Sequence, residues 1–374
     1  MGAALAACTL SLLPLVASVP PVRAEGSAGA AASDPTADAV AYLLSEQEAD
    51  GGFGPGVVTP NVVSALAQQA QTTTSWSAKE AIDAVSAAET DDGTTPLDAL
   101  DALAQDNPTP EAAAQMISRA VVAMGLDPEN FDPGGDGSPV DLVREVAGGR
   151  RADGSYGSLT ATAEAVLALV LVGRPVNEAT LTLLQEAQQD NGGWNNDGDP
   201  DGDFVDPATT GLVVEALVAA GVGTEGTTPV TRALSFLART QESSGGWPLE
   251  RDGEIGPDAT SWAMGALRAA GYQPAQGCWR PGVGDDEPYA DPADALAELQ
   301  DADGAITGGL DPVSSTALAV QALNGRWLPT TRLPAIDCSP SDGGWSVRPS
   351  LVILVVFGLV LIVGALRIMR RSGP

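Results

Sequence analysis

The chain has 374 residues, with 49 acidic and 18 basic side chains, no histidine and a formal charge of −31. So negative a surface repels nucleic acid and anionic membrane faces, which sets nucleic-acid binding aside. Without histidine the chain lacks the commonest general base and the commonest zinc ligand.

Residues 1–24 read as a signal peptide. An apolar run through Leu5, Leu10, Leu12, Leu13, Leu15 and Val16 closes on Val22-Arg23-Ala24, which suits cleavage before Glu25. A linker, 25–34, leads into a repeat domain over 35–326. Its signature is a turn: Gln47-Glu-Ala-Asp-Gly-Gly-Phe53, Gln188-Gln-Asp-Asn-Gly-Gly-Trp194 and Gln241-Glu-Ser-Ser-Gly-Gly-Trp247 share one pattern. Weaker copies are Arg150-Arg-Ala-Asp-Gly-Ser-Tyr156, Gln300-Asp-Ala-Asp-Gly-Ala-Ile306 and Glu89-Thr-Asp-Asp-Gly-Thr-Thr95.

The segments between the copies are alike too. Thr59-Pro60, Thr95-Pro96, Thr109-Pro110, Asp206-Pro207, Thr228-Pro229, Asp291-Pro292 and Asp311-Pro312 are helix starts. The first side chain caps free N–H groups, and Pro suits the first turn. Gly221 and Gly271 supply left-handed helix stops. The second helix of each unit is the more apolar, Ala216 to Ala220 for instance, with few charges on any face, and so is expected inside, ringed by amphipathic helices. The Gln and Trp of the turns, Gln188 and Trp194 for example, are expected to be structural.

In the fourth copy, Asn195, Asp197, Asp199, Asp201, Asp203 and Asp206 place oxygens at alternating positions, as calcium prefers. Pro200 stands where an EF-hand has its turn glycine, so a solvated acidic insertion is the competing reading. Parallel inner helices would gather partial positive charge and hydroxyls at one mouth of a ring. Thr160, Thr162, Thr209, Thr210, Asp258, Thr260, Ser261, Trp262, Ser314 and Ser315 are the candidate lining, with capping or packing as the alternative role for each.

Once the signal peptide is removed, Cys278 and Cys338 remain as an even pair in an oxidising compartment, and a disulfide is expected. Residues 327–350 form a membrane-proximal linker containing Leu328-Pro329-Thr330-Thr331, which resembles a sortase signal but has Arg332 in place of the final Gly. A transmembrane helix is expected over 351–369, with 370–374 as the cytoplasmic tail. Leu351 to Leu366 is uncharged and covers roughly 24 Å against a core of about 30 Å, a gap that snorkelling arginines can bridge. Arg367, Arg370 and Arg371 put the C-terminus inside and the bulk of the chain outside the cell membrane.

The Gln-x-x-Asp/Asn-Gly-Gly-Trp copies resemble the repeats of squalene cyclases and prenyltransferase β subunits. The resemblance covers roughly Pro35 to Gly325. It implies an all-α fold, an α6/α6 toroid of six helical hairpins. Cobalamin carriers of the intrinsic factor and transcobalamin type share that toroid, and Asp258-Ala-Thr-Ser-Trp-Ala-Met-Gly-Ala-Leu267 is similar to a stretch of theirs. The Asp-x-Asp-Asp acid of class II cyclases is missing, as is the His of the prenyltransferase zinc site, and aromatics are only 4% of residues. No catalytic residue is therefore carried over. The leading expectation is a membrane-anchored, extracytoplasmic, non-catalytic module that binds a bulky small molecule. A corrinoid passed to a membrane transporter is the ligand suggested. A protein- or glycan-interaction scaffold and an unusual terpenoid enzyme are the alternatives.

Overall fold

The computed structural model describes residues 34–71, 76–135, 137–202, 204–249, 253–280, 290–325 and 333–336. The signal peptide, the predicted span 351–369, Asp203 and Cys338 lie outside them. Among the described residues no helix is long and apolar enough to cross a membrane. They contain helices and isolated bridges but no strand.

The order begins with α1 (Pro35–Ser45), α2 (Val58–Gln69), α3 (Ala78–Ser86) and α4 (Pro96–Gln105). One rod then combines α5 (Pro110–Gln115), a π-helical stretch Met116–Val121 and α6 (Val122–Met124). Next come α7 (Leu142–Gly148), α8 (Leu159–Leu171), α9 (Glu178–Glu186) and α10 (Pro207–Ala219). The last four are α11 (Pro229–Thr240), α12 (Pro257–Ala269), α13 (Pro292–Glu298) and α14 (Pro312–Asn324).

Two layers result. The apolar helices α2, α8, α10, α12 and α14 and the α5–α6 rod pack side by side, and α14 returns to α2, closing the ring. In α10 every residue except Ala208 is buried. The shorter helices α1, α7, α9, α11 and α13 bury one face only and lie outside. In α11, for example, Val230, Ala233, Leu234 and Leu237 are buried at helical spacing while Arg232 and Arg239 are not.

The turn motif explains how the ring is laced. Gln188 Nε2 donates to Gly192 O at 2.6 Å and to Pro229 O at 2.8 Å, the first residue of the next outer helix. Gln241 does the same with Gly245 O and Ala290 O, and Gln47 with Gly51 O and Ala88 O. Gln300 reaches Gly304 O and Pro35 O, so the last copy grips the first helix. The glycine is required twice over. Gly192 has φ of +95°, and a Cβ there would stand 2.4 Å from Arg232 O. At Gly304 the same atom would meet Asp38 O at 2.3 Å.

The aromatic residue is held from both ends. Trp194 and Trp247 are fully buried, and their indole N–H groups donate to Leu184 O and Leu237 O, near the ends of the preceding outer helices. Their backbone N–H groups donate to the hydroxyls of Thr210 and Thr260 on the following inner helices, at 3.0 and 3.1 Å. Thr59, Thr162 and Thr316 clamp Phe53, Tyr156 and Ile306 in the same way. Thr210→Val would leave the buried Trp194 N–H without a partner, a loss of about 1–3 kcal/mol that a shifted urea midpoint would report.

Two expectations are corrected. The Glu89–Thr95 copy forms the same local turn, with Thr90 N–H to Thr94 O at 2.9 Å, but it joins α3 to α4 instead of leading into an inner helix. The link from α4 to α5 has no glycine, and Asn107 takes the positive φ there, at +52°. Thr59 lies inside α2 and caps nothing, because its hydroxyl is committed to the Phe53 N–H and Gly54 O. The expected caps do form at Thr109, Asp206, Thr228, Asp291 and Asp311. Gly221 and Gly271 have φ of +92° and +90° at their helix ends.

Candidate functional site at the toroid axis

Inner helices that are apolar all round leave few side chains to fill the axis, and the few polar ones meet there. The π-helical stretch, wider than an α-helical turn, carries Ser118 and Arg119. Arg119 is 8% exposed and forms an ion pair with Glu164 of α8. Its Nη1 donates to Asn61 Oδ1 on α2 at 3.0 Å, and its guanidinium lies 5.0 Å from the ring centre of Trp262 on α12. Ser118 Oγ donates to the other Glu164 oxygen at 3.2 Å.

A second knot joins α2 to α14. Gln321 Oε1 accepts from Ser64 Oγ at 3.0 Å and Gln68 Nε2 at 3.1 Å, while Gln321 Nε2 donates to Asn61 O at 3.2 Å. Between the knots stands Glu215 of α10, buried. Burial pushes its carboxyl up to about 8 against the pull of Arg119, with Glu164 adding to the rise and Arg268 opposing it. Burial likewise lowers Arg268 to about 10. The space left has a volume of about 40 Å³ and is lined by Gln68, Arg119, Glu164, Glu215, Ser261 and Trp262, among others. Ligand pockets for drug-sized molecules run to about 300–1,000 Å³, so this cavity is too small for one.

Of the predicted mouth residues, Ser261 and Trp262 line this cavity, while Ser314 Oγ accepts from Asn61 Nδ2 at 2.8 Å, behind the lining. The others lie elsewhere. Thr162, Thr210 and Thr260 hold the turns, and Thr209 is bonded to Asp206. Thr160 meets Ser158 and Asn196, and Asp258 accepts from Ser315 Oγ at 2.9 Å and Leu310 N–H at 3.2 Å. Burial raises the Asp258 carboxyl.

The acidic insertion is organised around its own backbone. Asn195 Oδ1 accepts from Asp199 N–H at 3.0 Å, Asp199 from Asp201 N–H at 3.0 Å, and Asp206 from Ala208 and Thr209 N–H. Asp197 faces an open cleft of about 1090 Å³ beside Arg151, Glu178 and Glu186. Among the described residues no three acidic side chains converge as metal ligands would. Cys278 stands in a short 3-10 turn, Gly277–Trp279, and is exposed.

No family model and no curated protein matches the chain. Solved structures do. The apo type II terpene cyclase MstE from Scytonema is 15% identical with a TM-score of 0.52, over 78% of this chain and 96% of that one. A protein from Actinoplanes is 20% identical with a TM-score of 0.53, over 78% and 98%. An MstE variant in complex with geranylgeranyl dihydroxybenzoate is 13% identical with a TM-score of 0.52, over 78% and 96%. At such identities the likeness is one of fold. The chain shares the all-helical α/α toroid fold of these structures, and the cobalamin branch gains nothing from the likeness.

Proposed function

We propose that this chain is a membrane-anchored, extracytoplasmic α/α toroid of six outer–inner helix pairs that serves as an interaction scaffold. One observation carries the choice: the axis, where a toroid would hold a bulky ligand, is closed by the Arg119–Glu164 and Gln68–Gln321 knots around about 40 Å³. This displaces the bulky-cofactor reading, because a corrinoid has no room there. The working surface is then the acidic exterior, whose charge of −31 for the whole chain selects basic partners over anionic ones. The Cys278–Cys338 disulfide and the 351–369 anchor belong to the same proposal.

A cyclase-like enzyme is the second reading, and one observation favours it. Burial pushes the Glu215 carboxyl up to about 8 beside Trp262 and Leu167, which suits a proton donor to an alkene, although this reading requires the axis to open well beyond its roughly 40 Å³. The test is incubation of the full-length chain in detergent micelles with geranylgeranyl-bearing substrates and, separately, with a corrinoid panel. The scaffold reading expects no cyclised product and an unmodified mass by native mass spectrometry. A product that disappears in Glu215→Gln would replace it with the enzyme, and a stoichiometric corrinoid adduct would restore the carrier.

A further inference from the structure

The geometry points to a built site for two or three ordered waters on the toroid axis, held between Gln68, Arg119, Glu215 and Ser261. Four polar atoms there are buried without a hydrogen-bond partner in the protein: Gln68 Oε1, Arg119 Nε, Glu215 Oε1 and Ser261 Oγ. Their residues line one cavity and are each at most 8% exposed. Each comes from a different inner element: α2, the π-helical stretch, α10 and α12. Buried polar groups in folded proteins are almost always satisfied, so four round one cavity call for a partner that the side chains do not supply.

The donor and acceptor types select that partner. Gln68 Oε1 only accepts and Arg119 Nε only donates, whereas Ser261 Oγ does both. A bare cation cannot accept from Arg119. An anion such as chloride cannot donate to the glutamine carbonyl, and a hydrocarbon can do neither. Water does both. Size agrees: a water needs about 10–15 Å³ of such space, and the cavity has about 40 Å³.

Two of the four side chains, Arg119 and Gln68, cannot turn to relieve themselves. Arg119 is held by Glu164, Asn61 and the face of Trp262. Gln68 Nε2 donates to Ser64 Oγ and Gln321 Oε1, so reversing the amide would set two carbonyl oxygens against each other. The waters would add bridges among these four inner elements to those that Arg119 already makes to α2 and α12. The site stands whether the axis is inert or catalytic, and so does not rest on the scaffold reading.

Thermal unfolding of full-length Ser261→Ala separates a wet cavity from a dry one by sign. With waters present the hydroxyl is bonded, and its removal lowers Tm. In a dry cavity the substitution deletes an unpartnered polar group, and Tm rises, which would overturn the site. A second measurement does not depend on any variant: crystals of the native chain pressurised with xenon. Solvent peaks within hydrogen-bond distance of at least three of the four atoms, with no xenon between them, are expected. Xenon on the axis, or density empty of solvent, would refute it.

Discussion

Arg119→Met is expected to destabilise the toroid by about 3–5 kcal/mol, read as a lowered urea midpoint with an unchanged slope. The arginine neutralises Glu164, whose side chain is only 3% exposed, and the substitution would strand that carboxylate away from bulk solvent. The loss is therefore mainly the penalty of an unpaired buried charge and only secondarily a lost attraction. Arg119→Met combined with Glu164→Leu should recover most of the stability, since an apolar pair of similar volume is often neutral or better. Recovery would stop about 1–3 kcal/mol short, because Asn61 Oδ1 loses the Arg119 guanidinium in the double variant. Breaking Arg174–Glu129, an ion pair about half exposed on each side, gives the scale for comparison: about 1 kcal/mol or less. If Arg119→Met cost no more than that, the axis would be hydrated by bulk solvent and open, and the case against a bulky ligand would fall with it.

The ring is legible in the sequence because it is written in local chemistry. A Gln that bonds a glycine carbonyl and the next helix, a glycine at positive φ and a buried indole recur within seven residues, as Gln188–Trp194 shows. Such a unit leaves the same trace wherever it occurs. For the same reason it misleads at Glu89–Thr95, where the same kind of turn serves the link between α3 and α4.

The axis is not legible, because its members come from different helices and make no motif. Ser64 bonds Gln321, and Arg119 bonds Glu164, across 257 and 45 positions of chain. A weaker signal is present. Five residues beyond the clamping threonines Thr162, Thr210 and Thr316 stand Leu167, Glu215 and Gln321, all on the cavity wall. A lone carboxylate at that register in a helix as apolar as α10 is the trace of an inward-facing group. The mouth residues mislead for a related reason. Thr162, Thr210 and Thr260 suggest lining hydroxyls because they open inner helices, yet each is occupied by the N–H of its own turn.

Glu215→Gln is expected to raise stability at alkaline pH and leave it nearly unchanged at pH 5. The sign comes from where the proton is held. Glu215 has a folded value of about 8 against an ordinary 4.5, so between those values the folded chain keeps a proton that the unfolded chain has released. Stability therefore falls as pH rises through that window and levels off above about 8, the reverse of the usual salt-bridged carboxylate. Three and a half units correspond to at most about 5 kcal/mol, reduced by whatever the axis does to accommodate the charge. Glutamine has the shape of the neutral acid and never ionises, so the variant should show none of this decline. Asp206 and Asp258, also raised by burial, slope the same way in both proteins and cancel in the difference. Arg268, lowered to about 10, adds nothing below that pH. Urea unfolding of the two proteins from pH 5 to pH 9 gives the difference directly. A flat difference would mean that Glu215 is ionised throughout. In that case Arg119, Arg268, Glu164 and Glu215 sum to zero charge on the axis, and a neutral acid would no longer be available to support the cyclase reading.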